Sequence, residues 1–249
     1  MDTFGNVRRL GVRNTNKNTI SIRHNTIFYC SKLTLQTFIQ VIYYWCLEFS
    51  EGQISNMLNI SIRTIQDLFA AFRMACKIYF NDNPVKLGGP GTIVQVDESC
   101  FSHKAKYHRG RGPSAPLWVF GIVDCSTKPA MGYMEIVERR DAATLLPIIK
   151  KVVREGSVIH SDEWKAYCKI AESENYNHNT VNHTLHFVDP NTGVHTQNIE
   201  SYWNKHKQRI KRMCGCHRDS LDSYLNEFMW MERNKNQKFL NYIKLLKHK

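Results

Sequence analysis

No stretch of this chain approaches the roughly 18 consecutive apolar residues that a membrane span requires. The opening segment MDTFGNVRRLG also lacks the apolar core of a secretory signal. Neither a membrane protein nor a secreted one is therefore expected. Paired cysteines are equally scarce: the eight cysteines stand mostly singly in apolar segments, and only Cys214 and Cys216, followed by His217, sit close together. A zinc ribbon needs a second ligand pair at a suitable distance, so the pattern fits reduced core thiols in a cytosolic or nuclear protein. Acidic residues are few, 22 Asp+Glu against 34 Lys+Arg, and the resulting charge of +12 favours a polyanionic partner, either nucleic acid or an anionic membrane surface. A hydrophobic content of 42% and five tryptophans exclude a disordered chain. The length of 249 residues suffices for one large domain with a small companion.

Residues 1–32 are polar and Asn/Thr-rich, with Arg8, Arg9, Arg13 and Lys17, and read as a flexible basic arm. A small helical module is expected over 33–80. Its first helix runs Leu35 to Phe49, with Leu35, Phe38, Ile39, Ile42, Trp45, Cys46 and Phe49 on one face. Ser50 then caps a short helix through Leu58, Asn59 and Ile60 turn, and Ser61 caps a further helix with Ile62, Ile65, Leu68, Phe69 and Phe72 apolar. This is the pattern of a helix-turn-helix, whose outward Arg63, Thr64, Gln66 and Arg73 suit phosphate or base-edge contacts. The stretch NDNPVKLGGP, 81–90, is the most linker-like in the chain, and 91–249 forms the larger domain.

That domain opens on GTIVQVDESC, a buried strand that carries Asp97 to its own end. A loop with Arg109 and Arg111 follows, then strands at 117–124 and 131–138, a helix at 141–153 and a strand at 156–162 ending on Asp162. A helix at 163–172, a strand at 180–188 and two long helices, at 196–213 and 220–246, complete the order. The order is that of a ribonuclease-H-like α/β fold with a mixed five-stranded sheet and flanking helices. If the first and fourth strands pair in parallel through a right-handed crossover, Asp97 and Asp162 lie side by side. Glu200 shares a helix face with Asn204, Lys207 and Lys211 at spacings of four, three and four. Converging carboxylates repel one another unless a cation intervenes, and hard oxygen ligands suit Mg²⁺ or Mn²⁺, two ions in an in-line displacement at phosphorus. Glu98 and Glu163 each follow a chosen aspartate, where strand alternation turns them away; Asp124 is the best substitute acid, and Asp189 is a further one. His160, His183, His186 and His195 have no compact metal spacing.

The motifs VDES (96–99), GRG (110–112), VFGIVD (119–124), HSDEWKAY (160–167), HTQNIESYWNKHKQRIK (195–211) and LNEFMWMERN (225–234) together resemble the DDE transposases of the ISXO type, related to the Merlin superfamily of DNA transposons. The resemblance covers residues 35 to 235. It implies metal-binding acids at Asp97, Asp162 and Glu200 and a following lysine at Lys207. Some relatives carry Asn at the third acid position, where this chain has Glu200. Many also carry an N-terminal zinc module, whereas residues 1–34 hold only Cys30. The expectation is an Mg-dependent transposase acting on transposon terminal inverted repeats and target DNA, as a homo-oligomer on DNA. Lys205, Lys207, Arg209, Lys211, Arg109 and Arg111 would touch phosphates, and Arg63, Thr64 and Gln66 the ends. A catalytically silent, host-adopted DNA-binding protein and a nuclease without strand transfer are the alternatives. The nucleus is expected in a eukaryote and the nucleoid in a bacterium.

Overall fold

The computed structural model describes residues 32–101, 115–170, 175–182, 188–190 and 192–246. Arg109 and Arg111, and all of the expected basic arm except Lys32, lie outside the described residues. The chain forms two compact units, one of residues 1–75 with 234–249 and one of residues 76–233. Among the described residues no helix is long and apolar enough to cross a membrane.

The first unit is helical. Thr34 caps α1 (Leu35–Cys46) through its hydroxyl, which accepts the Thr37 N–H at 3.1 Å. The helix buries Phe38, Val41, Ile42, Trp45 and Cys46, while Ile39, expected on that face, is 38% exposed. It stops at Cys46, short of the expected Phe49, and Glu48 takes a positive φ of 64° in the turn that follows. Ser50 and Gln53 form a capping box at the start of α2 (Glu51–Leu58), satisfying two N–H groups reciprocally. Asn59 ends it in the left-handed conformation (φ 51°, ψ 48°) that asparagine tolerates better than most residues. The Ser55 hydroxyl donates to the Ile60 carbonyl at 2.7 Å across the turn, and α3 (Ile62–Asp82) begins directly after it. Ile65, Phe69 and Phe72 are buried, Leu68 is half-buried and Ile62 is exposed. Arg73, expected to point outward, is buried: it directly follows Phe72 on the packed side of the helix.

The single helix expected over 220–246 is two, α6 (Leu221–Arg233) and α7 (Lys238–Leu245), separated at 234–237. There the Asn241 side-chain amide donates to the Asn234 side-chain oxygen at 2.8 Å. The break lets α7 join the first unit, where the sequence placed it in the larger domain. Its Tyr242 is wholly buried, with ring centroids 4.7 Å from Trp45 and 5.4 Å from Phe72.

The second unit is built on a sheet of β1 (Ile93–Cys100), β2 (Trp118–Asp124), β3 (Met131–Val137), β4 (Val158–Asp162) and β5 (Asn177–Val181), in the order β3-β2-β1-β4-β5. The first three strands pair antiparallel, and β1, β4 and β5 pair in parallel. With α4 (Ala142–Val152) crossing from β3 to β4, and α5 (Gln197–Arg212) and α6 following, this is the ribonuclease-H-like arrangement. Side chains alternate across the sheet. Val94, Val96, Phe120, Ile122 and Ile159 pack with Leu145 and Ile149 of α4, whereas Val119, Val123 and Met134 pack with Ile199, Trp203 and Phe228 of α5 and α6. Asp141 caps α4 by accepting the Thr144 N–H at 2.9 Å. The helix expected at 163–172 is a 3₁₀ segment, Lys165–Ile170. The fifth strand lies earlier than expected, at Asn177–Val181, and residues 183–187 lie outside the described ones.

Candidate active site

The parallel ladder between β1 and β4 ends at the pair Gln95 and His160. Each strand continues two residues further, to Asp97 and Asp162, which therefore emerge at the same level and on the same side of the sheet. That side carries α5. Strand ends of an open α/β sheet are where ligands gather.

Glu200 is brought there by two contacts that tie α5 to β1. Gln95, fully buried in the middle of an apolar strand, points out of the sheet beneath the start of the helix. Its side-chain oxygen accepts the backbone N–H groups of Asn198 (3.0 Å) and Ile199 (3.1 Å), and its amide nitrogen donates to the His195 carbonyl at 2.8 Å. The residue preceding α5, Thr196, makes no side-chain cap, so Gln95 supplies the cap from another element. The Thr196 hydroxyl instead donates to the Glu200 carboxylate at 3.2 Å. One turn further, the Trp203 indole N–H donates to Asp97 Oδ2 at 2.9 Å. The indole fits because Gly121 faces Asp97 on β2: a Cβ at Gly121 would stand 2.4 Å from the Trp203 ring. Gly132 similarly gives room to the Tyr202 ring.

The electrostatics reflect this gathering. Burial pushes the Asp97 carboxyl up to about 6; the Trp203 hydrogen bond opposes this, and the charges of Asp162 and Glu200 add to it. Glu98 lies on the opposite side of β1, where the Tyr167 hydroxyl donates to it. Burial lifts it to about 7, with Tyr167 and Arg140 opposing and Asp97 and Asp162 adding. Asp124 is excluded from the cluster by register. It pairs with Val94 at the far end of β1 and accepts from the Gly88 N–H, the Ser126 N–H and the Ser126 hydroxyl. Asp189 accepts the Thr192 N–H at 2.9 Å in its own turn, and Glu163 is exposed.

Among the described residues no three His, Cys, Asp or Glu side chains form a ready-made metal cage. The donor chemistry nonetheless fits a hard divalent cation. Asp97 and Asp162 leave the same end of the sheet, and the charges of Asp162 and Glu200 both add to the upward shift of the Asp97 carboxyl, an acidic environment of oxygen donors.

The basic residues of α5 divide. Lys205, itself exposed, is ion-paired with Glu232 of α6, and the half-buried Arg209 has its guanidinium 4.4 Å over the Phe228 ring. Lys207 is exposed and lies 5.4 Å over the ring of Phe101, just beyond β1; Lys211 is exposed as well. In the first unit Arg63 and Gln66 are exposed and Thr64 is half-buried. Sequence marks Trp203 only as part of the buried stripe of its helix, with Ile199, Ile210 and Met213, and gives Gln95 and Gly121 no role. A glutamine inside IVQV was the one visible signal, since an uncharged polar residue amid β-branched neighbours implies a buried partner.

Residues 86–233 match the ISXO2-like transposase domain. The chain is 30% identical over 115 residues to an "Uncharacterized transposase-like protein" of Haemophilus influenzae, a match covering 46% of this chain and 89% of that protein. Among solved structures it is similar to the simian T-cell lymphotropic virus intasome in complex with PP2A regulatory subunit B56 gamma (13% identity, 76% of this chain, 66% of that chain, TM-score 0.34). It is likewise similar to the mariner Mos1 paired end complex with Mg (11% identity, 87% of this chain, 77% of that chain, TM-score 0.29).

Proposed function

The chain belongs to the ISXO2-like transposase family, and from that premise we propose that it binds the ends of a DNA transposon and catalyses metal-dependent strand cleavage and strand transfer. The observation that carries this reading is that Asp97 and Asp162 leave the same end of the sheet, where the charge of Glu200 on α5 is also felt by the Asp97 carboxyl. Their carboxylates would hold the metal, two Mg²⁺ or Mn²⁺ ions in the fullest form of the site. When bound, such ions supply Lewis-acid activation of a water or 3′-hydroxyl and neutralise charge on the transferring phosphoryl group. The protein's part is placement. Trp203 orients the Asp97 carboxylate by donating to one of its oxygens. The Gln95 cap fixes the first turn of α5 and with it Glu200. Lys207 and Lys211 on the exposed side of α5 would hold phosphates near the scissile one, without reading sequence.

The deciding experiment is cleavage of DNA carrying the element's own ends, with and without Mg²⁺ or Mn²⁺. Metal-dependent nicking at the ends supports the proposal, joining to a target duplex separates a transposase from a nuclease, and binding without cutting leaves a catalytically silent DNA-binding protein. A companion measurement tests the metal directly. Mg²⁺ or Mn²⁺ at about ten times its dissociation constant should raise the melting temperature by about 3 °C. The gain should shrink below about pH 6 as Asp97 binds protons, and vanish in Asp97→Asn. An equal rise in the variant would place the ion elsewhere.

End recognition is assigned to α2 and α3. Replacing Arg63 by Ala should weaken binding to all duplexes alike, and Gln66→Ala should reduce the preference for element ends over random duplex by about tenfold. Competition binding reads both; an undiminished preference in Gln66→Ala would remove it from recognition.

A further inference from the structure

Beside Asp162 lies a group of side chains that the proposed chemistry does not use. The Trp164 backbone N–H donates to Asp162 Oδ1 at 3.1 Å, so the tryptophan is anchored to the acid itself. Its indole N–H donates to the Arg140 carbonyl at 3.1 Å, which fixes the ring's orientation. The Arg140 guanidinium carbon stands 3.8 Å from the Trp118 ring centroid and 5.0 Å from that of Trp164. Arg140 is thus held by stacking on two indoles. Trp164 remains 43% exposed even though Arg140 lies over one of its faces. An ordered, half-exposed indole next to a cation is costly to leave in water and suits a ligand with both a flat ring and a negative charge.

We propose that Trp164 and Arg140 form a subsite for one unpaired nucleotide next to the scissile phosphate, the base stacking on the open face of Trp164 and the phosphate pairing with Arg140. The proposal rests on the DNA-processing reading of the acids and adds to it a preference for a strand that is locally unpaired. The chemistry is specific in kind. A base inside a duplex offers only its edges, whereas an unstacked base presents a face, and stacking on an aromatic side chain tolerates any sequence. Arg suits the phosphate because it offers several N–H donors in one plane and stays charged at all relevant pH. The competing explanation is that the stack only ties the turn before α4 to the end of β4; in that case it strengthens the fold and is indifferent to DNA.

The test measures equilibrium binding of the full chain, without divalent ions, to three labelled probes: a blunt duplex, the duplex with a short single-stranded 3′ tail, and the same tail made of abasic nucleotides. The native protein should bind the base-bearing tail about tenfold more tightly than the abasic one. Trp164→Ala should erase that difference while leaving blunt-duplex affinity intact, and Trp164→Phe should keep it within about threefold. Arg140→Gln should weaken binding to both tailed probes and reduce its salt dependence. The abasic probe removes the base from the DNA and leaves the protein untouched, so its outcome does not depend on how well a variant folds. Equal affinity of the native chain for base-bearing and abasic tails would overturn the subsite. So would a Trp164→Ala protein that keeps the difference, or one that loses blunt-duplex binding equally. If the native protein bound none of the probes, the DNA-processing reading would fall too; loss of the tail preference with duplex binding intact sinks the subsite and leaves that reading standing.

Discussion

Replacing Asp97 by Asn should yield a protein that melts higher than the native chain at about pH 8 and cuts no DNA. The stability half of this result follows from the sign of the Asp97 shift. Its carboxyl is pushed up to about 6 in the folded protein, above the ordinary aspartate range, because burial and the neighbouring Asp162 and Glu200 charges disfavour ionisation. The folded state therefore holds this proton more tightly than the unfolded state does. Stability from this group is full below the unfolded pKa and is lost as pH rises through the folded one. Asn never ionises and can still accept from the Trp203 indole. The variant should match the native protein near pH 4 and gain about 1 to 3 kcal/mol above pH 6. Glu98 should respond as well, since the Asp97 charge adds to its upward shift; in the variant its carboxyl would ionise at lower pH. The catalytic half follows from the need for charge: losing several kcal/mol of transition-state stabilisation at a metal corresponds to about a thousandfold slower cleavage or more. Asp162→Asn and Glu200→Gln should slow cleavage comparably. Melting curves across pH and single-turnover cleavage rates measure the two halves separately. A native cleavage rate in Asp97→Asn would remove that residue from the site, and an unchanged melting curve at pH 8 would show that its charge carries no folding cost.

A residue that is more stable when its charge is removed is one the fold does not need, and that contrast explains how much of this site was legible. β1 announced itself through Ile93, Val94 and Val96, and Asp97 stood out because it interrupts them. The 117–124 and 131–138 segments, joined by a turn, gave the antiparallel hairpin now seen in β2 and β3. These features are local, set by alternation and by turn residues, and so can be read from adjacent positions. What escaped depends on contacts across the sequence. Lys205 and Arg209 read as DNA-facing charges on an amphipathic helix; α6 also gives the first an ion pair with Glu232 and the second the Phe228 ring. Their spacing could not reveal the partner. The break between α6 and α7 escaped because NKNQK contains no glycine or proline, and apolar residues resume beyond it; only the burial of Tyr242 against Trp45 and Phe72 selects it. Gly121 carries no local signal, because what requires it is the Trp203 ring of a distant helix, which occupies the space of its missing side chain.

Gln95 is the sharpest case of a long-range contact that positions the candidate site, and Gln95→Met should separate positioning from binding. Methionine is close to glutamine in shape, so the pocket stays filled while every polar contact disappears. The Asn198 and Ile199 N–H groups and the His195 carbonyl would then lose their partner in a buried place, at a cost of about 1 kcal/mol each and about 3 kcal/mol together. The start of α5 would fray, because Thr196 offers no side-chain cap of its own. Glu200 is the next residue after Ile199 and exposed, so its position depends on that first turn rather than on packing of its own side chain. Cleavage at saturating DNA should fall by about tenfold to a hundredfold, a misplacement of the order of an ångström sufficing for the larger figure. The DNA concentration giving half-maximal rate should hardly change, since Lys207 and Lys211 lie two turns or more further along α5, beyond the frayed end. A merely structural role predicts something else: lower urea resistance, but native turnover wherever the protein is still folded. Urea unfolding and steady-state kinetics well below the melting temperature distinguish the two. If Gln95→Met loses stability yet keeps the native cleavage rate, the cap holds the helix and does not place Glu200.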